Sequence, residues 1–180
     1  MGTKLFPAAV ATVLLVGGCG DGESPPSVDY PGDLLATTTI ESVIDGDTVR
    51  VELDGEEVTV RVLGIDTPEV EGYRDEECWG PEAAEYAGEL LADQTVHVFT
   101  DPGHDEYDQY DRLLAYLVTD DNMNYSVQAV SDGMARYYHI PDNPVSLHNV
   151  LQAAEGAARS EELGLWGPPC YGETSADGAE

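Results

Sequence analysis

The stretch from residue 43 to residue 69, VIDGDTVRVELDGEEVTVRVLGIDTPE, determines the fold of this chain. Apolar and polar residues alternate in it on both sides of Asp54-Gly55, a dipeptide typical of the tight turn of a β-hairpin. Val49 and Val51 share one face of the first strand, and Val60 and its neighbouring valines share one face of the second. The stretch therefore predicts a hairpin with one buried face.

The hairpin also brings two carboxylates together. Pairing about the turn carries Asp47 to the end where Asp66 emerges, and two carboxylates at one end of a hairpin repel each other unless a cation joins them. Ligand sets made only of oxygen suit Ca²⁺. Arg61 lies on the face opposite the valines and needs an anionic partner, which is either a bound anion or a neighbouring acid in a salt bridge. Taken alone, Asp45-Gly46-Asp47 reads as an ordinary β-turn.

The rest of the chain alternates strands and helices. Further strands are predicted at 37–40, 42–44, 95–100 and 113–118. Helices are predicted at 81–92, from Ser126 as the N-cap to about 133, and from 143 to about 163. This order predicts an α+β fold.

The N-terminus has the features of an export signal. Lys4 precedes an apolar run from Leu5 to Val16 that is too short to span a bilayer. Small residues before Cys19 resemble a lipobox; the alternative is an ordinary signal peptide with an incidental cysteine. Residues 1–18 are thus predicted to be a signal peptide. The protein is expected outside the cytoplasm, secreted or held at a membrane by a lipid on Cys19.

Composition divides the remainder of the chain. Residues 19–32 are rich in Pro, Gly, Ser and acid and predict a flexible, lipid-anchored linker. One domain is expected at 33–171 and a disordered tail at 172–180. Two further cysteines, Cys78 and Cys170, favour a disulfide in an exported protein, and two separate thiols are the alternative.

The charge of the chain is extreme. Its formal net charge is -29, and Lys4 is its only lysine. A folded domain of this kind is typical of adaptation to high salt, where the Debye length is only about 3 Å at 1 M. The same charge argues against tight nucleic-acid binding at low salt, because affinity for phosphate normally requires Lys and Arg.

Several motifs together resemble one family. The runs VIDGDTVRV, VRVLGIDTPE, GPEA, YDQYDRLLAYL and GLW, in this order and spacing across residues 40–166, closely resemble the staphylococcal nuclease family, the thermonucleases. The resemblance implies an OB-fold, a five-stranded β-barrel with three α-helices. It also implies Ca²⁺-dependent hydrolysis of DNA and RNA.

The resemblance also implies a metal site and a catalytic set. The calcium ligands are expected to be Asp47, Asp66 and the backbone carbonyl of Thr67. Glu69 matches the residue usually regarded as the general base. Arg61 and Arg112 match the two arginines that clamp the phosphate, and a guanidinium can bind a phosphate through two hydrogen bonds where lysine cannot.

Aromatic residues are expected at the substrate. Tyr110 matches a tyrosine near the substrate phosphate, and Tyr137 and Tyr138 are candidates for stacking on the base. Gln109 and Asp111 depart from the family's Lys-Tyr-Gly-Arg pattern and put substrate affinity in question.

The sequence thus predicts an exported, monomeric, calcium-dependent nuclease whose products carry a 3′-phosphate. Two alternatives remain at this stage. One is a non-catalytic OB-fold that binds nucleic acid or protein. The other is a surface lipoprotein that binds Ca²⁺ for structure only.

Overall fold

The computed structural model describes residues 32–71, 75–140 and 142–175. The predicted signal peptide, the lipidation site Cys19, nearly all of the linker and residues 176–180 lie outside the described residues. Within the described ranges, no helix combines the length and the apolar character needed to cross a membrane.

Strands and helices alternate along the chain. In order they are β1 (Leu34–Val43), β2 (Thr48–Leu53), β3 (Glu56–Val62), β4 (Ile65–Asp66), α1 (Gly80–Leu91), β5 (Thr95–Phe99), β6 (Leu113–Thr119), α2 (Tyr125–Ser131), β7 (Arg136–Tyr137) and α3 (His148–Ser160). A 3₁₀ turn follows at Gly164–Trp166. Five strands close into a barrel in the order β1-β2-β3-β6-β5, with β3 and β6 parallel and the other neighbours antiparallel. The predicted α+β fold, an OB-type five-stranded barrel with three helices, is confirmed.

The quoted hairpin forms β2 and β3. Val49 lies opposite Val60, and Val51 lies opposite Val58. The side chains of Val49, Val51 and Val60 are fully buried. Thr48 lies opposite Arg61 on the other face. The alternation of valines therefore fixes how β2 pairs with β3. This pairing places Arg61 opposite Thr48, the first residue after the β1–β2 turn.

The alternation predicts that the second hairpin strand runs from residue 57 to residue 65, but the strand ends at Val62. Gly64 has a φ of 78°, which an L side chain rarely adopts, so the strand breaks after Val62. The short strand β4 then pairs with β7 through Ile65–Tyr137 and Asp66–Arg136. This break turns Asp66 out of the barrel sheet.

Two helix boundaries differ from the prediction. Asn124, not Ser126, is the N-cap of α2, because the side chain of Asn124 accepts the Val127 N–H at 3.0 Å. Ser126 lies inside the helix and donates to the Leu63 carbonyl. The third helix begins at His148, because the segment around Asn143 forms a turn closed by a bond to Ile140.

A buried aspartate joins the end of β5 to the segment before α3. Asp101 accepts hydrogen bonds from Ser146 N–H (2.7 Å), the Ser146 hydroxyl (2.9 Å), Gly103 N–H (3.0 Å) and the Tyr116 hydroxyl (2.9 Å). These bonds satisfy a carboxylate that is otherwise costly to bury.

The C-terminal segment is fixed to the domain. A disulfide joins Cys78 to Cys170. The predicted tail begins too early at residue 172, because Thr174 is buried and Arg136 donates to it and to the Gly172 carbonyl. Only residues 176–180 of that tail lie outside the described part. Composition alone cannot show that Arg136 reaches this segment.

Candidate active site

Asp47 lies in the turn between β1 and β2 and is buried. The turn is closed by a bond from Ile44 N–H to the Thr48 carbonyl and by the Asp45 carboxylate, which accepts the Asp47 N–H at 3.0 Å. Asp47 Oδ1 accepts the Thr48 hydroxyl, and its Oδ2 accepts the Thr67 N–H at 2.9 Å. The Asp47 carboxylate is therefore held in one orientation, both by the residue that follows it and by the segment that follows β4.

Gly46 makes this close approach possible. A Cβ at this position would lie 2.7 to 2.9 Å from three side-chain atoms of Thr67. The Gly46 carbonyl accepts the buried Tyr125 hydroxyl at 2.6 Å, which ties the turn to α2. The turn that carries Asp47 is thus packed against the Asp66-Thr67 segment with no space for a larger residue.

Arg61 bridges the two predicted calcium ligands. Its Nη1 lies 2.8 Å from Asp47 Oδ2, and its Nη2 lies 3.1 Å from Asp66 Oδ1. Nη1 also donates to the Ile65 carbonyl at 2.9 Å. The salt bridge that the sequence left open as an alternative is thus present. Within the described ranges, no group of three or more acidic, histidine or cysteine side chains is arranged to hold a metal ion.

Negative charge is crowded around Arg61. Burial, followed by the neighbouring charge of Asp47, raises the pKa of Asp45 to about 6. Burial also raises the pKa of Asp66, again with a contribution from Asp47. The carboxyl groups of Asp45, Asp47 and Asp66 outnumber the one guanidinium of Arg61 that pairs with Asp47 and Asp66, so a further cation would be stabilised here.

Arg112 is held by a second carboxylate. Its Nε and Nη2 lie 2.8 and 2.7 Å from Asp108 Oδ2, and the Tyr110 ring lies 5.6 Å from the guanidinium carbon. Burial alone would raise the pKa of Asp108, but hydrogen bonds from Arg112 and from Tyr110 N–H lower it on balance. Asp108 was not predicted as a site residue, although its i, i+4 spacing from Arg112 is visible in the sequence.

The predicted metal and catalytic residues share one cavity of about 170 Å³. All of its lining residues are charged or carry a hydroxyl: Asp45, Asp47, Thr48, Arg61, Asp66, Thr67, Glu69 and Arg112. The structure thus brings together six residues that the sequence picked from three separate motifs, and it adds Asp45 and Thr48.

A larger cavity of about 510 Å³ adjoins the first one and shares Arg61, Asp66 and Arg112 with it. Tyr110 and Tyr138, both exposed, are among its lining residues. Tyr137 lines neither cavity.

Tyr137 is engaged elsewhere. Its hydroxyl lies 2.7 Å from His148 Nδ1, and its ring stacks on His139. Of the two tyrosines predicted to stack on a base, Tyr138 lines the larger cavity and Tyr137 does not.

The fold and the site define a class: a small OB-type barrel with an acidic pocket between two arginines. The chain belongs to the staphylococcal nuclease homologue family, whose model matches residues 59–168. It is 30% identical over 168 residues to a thermonuclease of Staphylococcus intermedius, covering 91% of this chain and 96% of that protein. It is 32% identical over 142 residues to endonuclease YncB of Bacillus subtilis (strain 168), covering 76% of this chain and 64% of that protein. A thermonuclease of Staphylococcus hyicus is 30% identical over 131 residues, 72% of this chain and 75% of that protein.

Proposed function

We propose that this protein is an exported, calcium-dependent nuclease that hydrolyses phosphodiester bonds in DNA, RNA or both and leaves 3′-phosphate products. One observation carries the proposal: two arginines, three candidate metal-ligating residues and a candidate base line one cavity of about 170 Å³. The family and the names of the relatives, thermonuclease and endonuclease, support the same activity.

The acidic residues of the pocket fit Ca²⁺. Asp47, Asp66 and the Thr67 carbonyl offer oxygen ligands only, and Asp47 and Asp66 share the single guanidinium of Arg61. When bound, calcium supplies charge neutralisation for the phosphate and activation of water.

The two arginines bind the phosphate. Arg61 contacts the carboxylates that would hold calcium, and a cation there would compensate their charge and leave the guanidinium of Arg61 available for the phosphate. Arg112 is oriented by Asp108 through two donors and keeps its remaining N–H groups for the substrate. The two guanidiniums stabilise the negative charge that gathers on phosphorus in the transition state.

Glu69 acts as the general base. Its carboxylate accepts a proton from the water that attacks phosphorus in line, the bond to the 5′-oxygen breaks, and the phosphate remains on the 3′-oxygen. In the neighbouring cavity, the exposed rings of Tyr110 and Tyr138 stack on the nucleotide.

The location and the solvent are part of the proposal. Residues 1–18 direct export, a lipid on Cys19 holds the chain at a membrane, and the net charge of -29 suits molar salt. Membrane fractionation of the parent and of Cys19→Ser tests the anchor: the variant should move to the soluble fraction. Size-exclusion chromatography in molar salt tests the expected monomer.

Digestion of DNA and RNA in molar NaCl, with Ca²⁺ or with a chelator, tests the activity. Cleavage should require Ca²⁺, and Arg61→Lys or Arg112→Lys should lower kcat by about 100-fold or more, because each removes planar, bidentate contacts to the phosphate. Arg50→Lys is the matched control, since Arg50 pairs only at the surface with Glu57 at 3.5 Å. Products should lose phosphate from the 3′ end when treated with a 3′-phosphatase.

The alternatives give different results in the same assay. Tight oligonucleotide binding without cleavage would favour a non-catalytic OB-fold. Melting raised by Ca²⁺, with neither binding nor cleavage, would favour a structural calcium site. Parent-like turnover of both Lys variants would refute the assignment of the two arginines.

A further inference from the structure

The backbone of Glu69 is held by the residues on either side of Cys78. Glu77 N–H donates to the Glu69 carbonyl at 2.9 Å, and Glu69 N–H donates to Glu77 Oε2 at 3.2 Å. On the other side, a Cβ at Gly80 would lie 2.1 Å from the Glu69 carbonyl oxygen, so Gly80 packs directly against it. Glu69 is therefore positioned by residues 77–80, which lie eight to eleven positions further along the chain.

Residues 77–80 are themselves fixed to the C-terminal segment. Cys78 is bonded to the buried Cys170, and its N–H donates to the Thr174 carbonyl at 3.0 Å. That segment is anchored in turn, because Gly172 N–H donates to the Leu165 carbonyl at 2.8 Å.

Further contacts anchor the C-terminal segment to the domain. Trp166 lies against the guanidiniums of Arg136 and Arg159, with 4.8 and 4.0 Å between ring centroid and guanidinium carbon. A series of contacts thus leads from residues 165–174 through the disulfide to the backbone of Glu69.

The supports of Asp47 do not pass through the disulfide. Asp47 is held by Thr48, Thr67 and Arg61, and its turn is held by the Tyr125 hydroxyl. Thr48 and Arg61 belong to the barrel, Tyr125 belongs to α2, and Thr67 directly follows β4.

The supports of Asp66 also bypass the disulfide. Asp66 binds Arg61 and pairs with Arg136 of β7. Arg136 does contact the C-terminal segment, but through its own hydrogen bonds to Gly172 and Thr174. A perturbation at Cys78 should therefore reach Glu69 without displacing either aspartate.

We propose that the Cys78–Cys170 disulfide is a positioning device for Glu69. Breaking it leaves the metal ligands in place and lets the Glu69 carboxylate depart from its productive position. The enzyme therefore loses turnover while it retains calcium and substrate affinity. A dithiol reductant, which is oxidised to its own disulfide as Cys78 and Cys170 become thiols, lowers the activity in the same way. The inference rests on the proposed role of Glu69 as the base.

The test compares the parent with a Cys78→Ser/Cys170→Ser variant, in molar salt and well below the melting temperature. We expect kcat to fall by about 10- to 100-fold, because a misplacement of about 1 Å can cost that much. KM and the calcium affinity measured by titration calorimetry should change by less than about threefold, as for loss of an interaction made only in the transition state. Val51→Ala removes packing in the barrel core and not in residues 77–80 that hold Glu69, so it should keep the parent's kcat.

A double-mutant cycle separates positioning from general destabilisation. In a Glu69→Gln background, removal of both cysteines should produce no further loss of kcat. Gly80→Ala keeps the disulfide but pushes on the Glu69 carbonyl, so it should reproduce the kcat loss and should also have no effect in the Glu69→Gln background. This second variant decides the question if the cysteine variant does not fold.

The outcomes distinguish this inference from the proposed function. If the parent does not cleave nucleic acid, the proposed function fails. If the parent cleaves and Glu69→Gln is as active as the parent, the role of Glu69 as the base fails and the positioning inference is overturned with it. If Glu69→Gln is inactive but neither the cysteine variant nor Gly80→Ala loses kcat, only the positioning inference is overturned. Equal losses in the parent and Glu69→Gln backgrounds would also overturn it.

Discussion

Gly46→Ala should damage the candidate calcium site more than its small size suggests. The added Cβ would lie 2.7 Å from Thr67 Cγ2, 2.8 Å from its Oγ1 and 2.9 Å from its Cβ, all closer than atoms normally approach. The branch point of Thr67 cannot turn away by a simple rotamer change. The chain must therefore separate the Asp47 turn from the Thr67 backbone, whose N–H binds Asp47 at 2.9 Å.

The size of the effect follows from overpacking. Inserting a methyl group into a well-packed site costs about 1–3 kcal/mol. We expect this loss in the free energy of unfolding measured with denaturant in calcium-free, molar-salt buffer. Separation of Asp47 from Asp66 should also weaken calcium binding, by about 5- to 150-fold if strain of this size falls on the bound state.

Gly88→Ala is the matched control for this substitution. A Cβ at Gly88 meets no atom within 4 Å, and Gly88 lies inside α1, so alanine should stabilise the protein by about 0.5–1 kcal/mol. Calcium affinity is read from titration calorimetry on the parent and both variants. A Gly46→Ala protein with the parent's stability and calcium affinity would refute the claim that the two turns are packed together to form the site.

Three further predictions concern stability and the substrate. Burial alone would raise the pKa of Asp101, but the hydrogen bonds that Asp101 accepts lower the pKa on balance. The ionised carboxylate therefore stabilises the fold above the ordinary aspartate pKa of about 3.9. This stabilisation is lost as the pH falls through the lower pKa of the folded state. Asp101→Asn should therefore destabilise the protein at pH 7, and the difference from the parent should shrink below about pH 4; a pH-independent difference would contradict this. Removing Cys78 and Cys170, which are separated by 92 positions, should cost about 4–5 kcal/mol of unfolding free energy in the chain-entropy estimate, and a loss below about 1 kcal/mol would contradict it. Tyr138→Ala should raise KM about tenfold through lost base stacking, whereas Tyr137→Ala should leave KM near the parent's value; the reverse order would refute the placement of the substrate.

The hairpin and one half of the site could be predicted from local patterns. Alternating valines and Asp54-Gly55 set the register of the β2–β3 hairpin, and that register brings Asp47 to the end where Asp66 emerges. The closed barrel and the roles of Arg112 and Glu69 came instead from the resemblance to the staphylococcal nuclease family. Periodicity and turn chemistry alone indicate no role for these two residues.

Side-chain pairing could not be predicted in the same way. The sequence left open whether Arg61 faces an anion or an acid, because the choice depends on rotamers and on where the chain bends at Gly64. Asn124 and Ser126 are both residue types that favour the N-cap position. Only the three-dimensional fold shows that Asn124 is the cap and that the Ser126 hydroxyl donates to the Leu63 carbonyl. Local sequence patterns likewise do not predict contacts between distant segments, because such contacts depend on the three-dimensional fold.

The most direct test of the site is a crystal structure of the protein with Ca²⁺ and a non-hydrolysable phosphorothioate dinucleotide, grown in molar salt. We predict anomalous density for calcium between Asp47 and Asp66, with Arg61 moved from these carboxylates onto a phosphate that Arg112 also contacts. Calcium bound at another surface, or Arg61 still bridging the two aspartates while the dinucleotide occupies a different groove, would contradict the account.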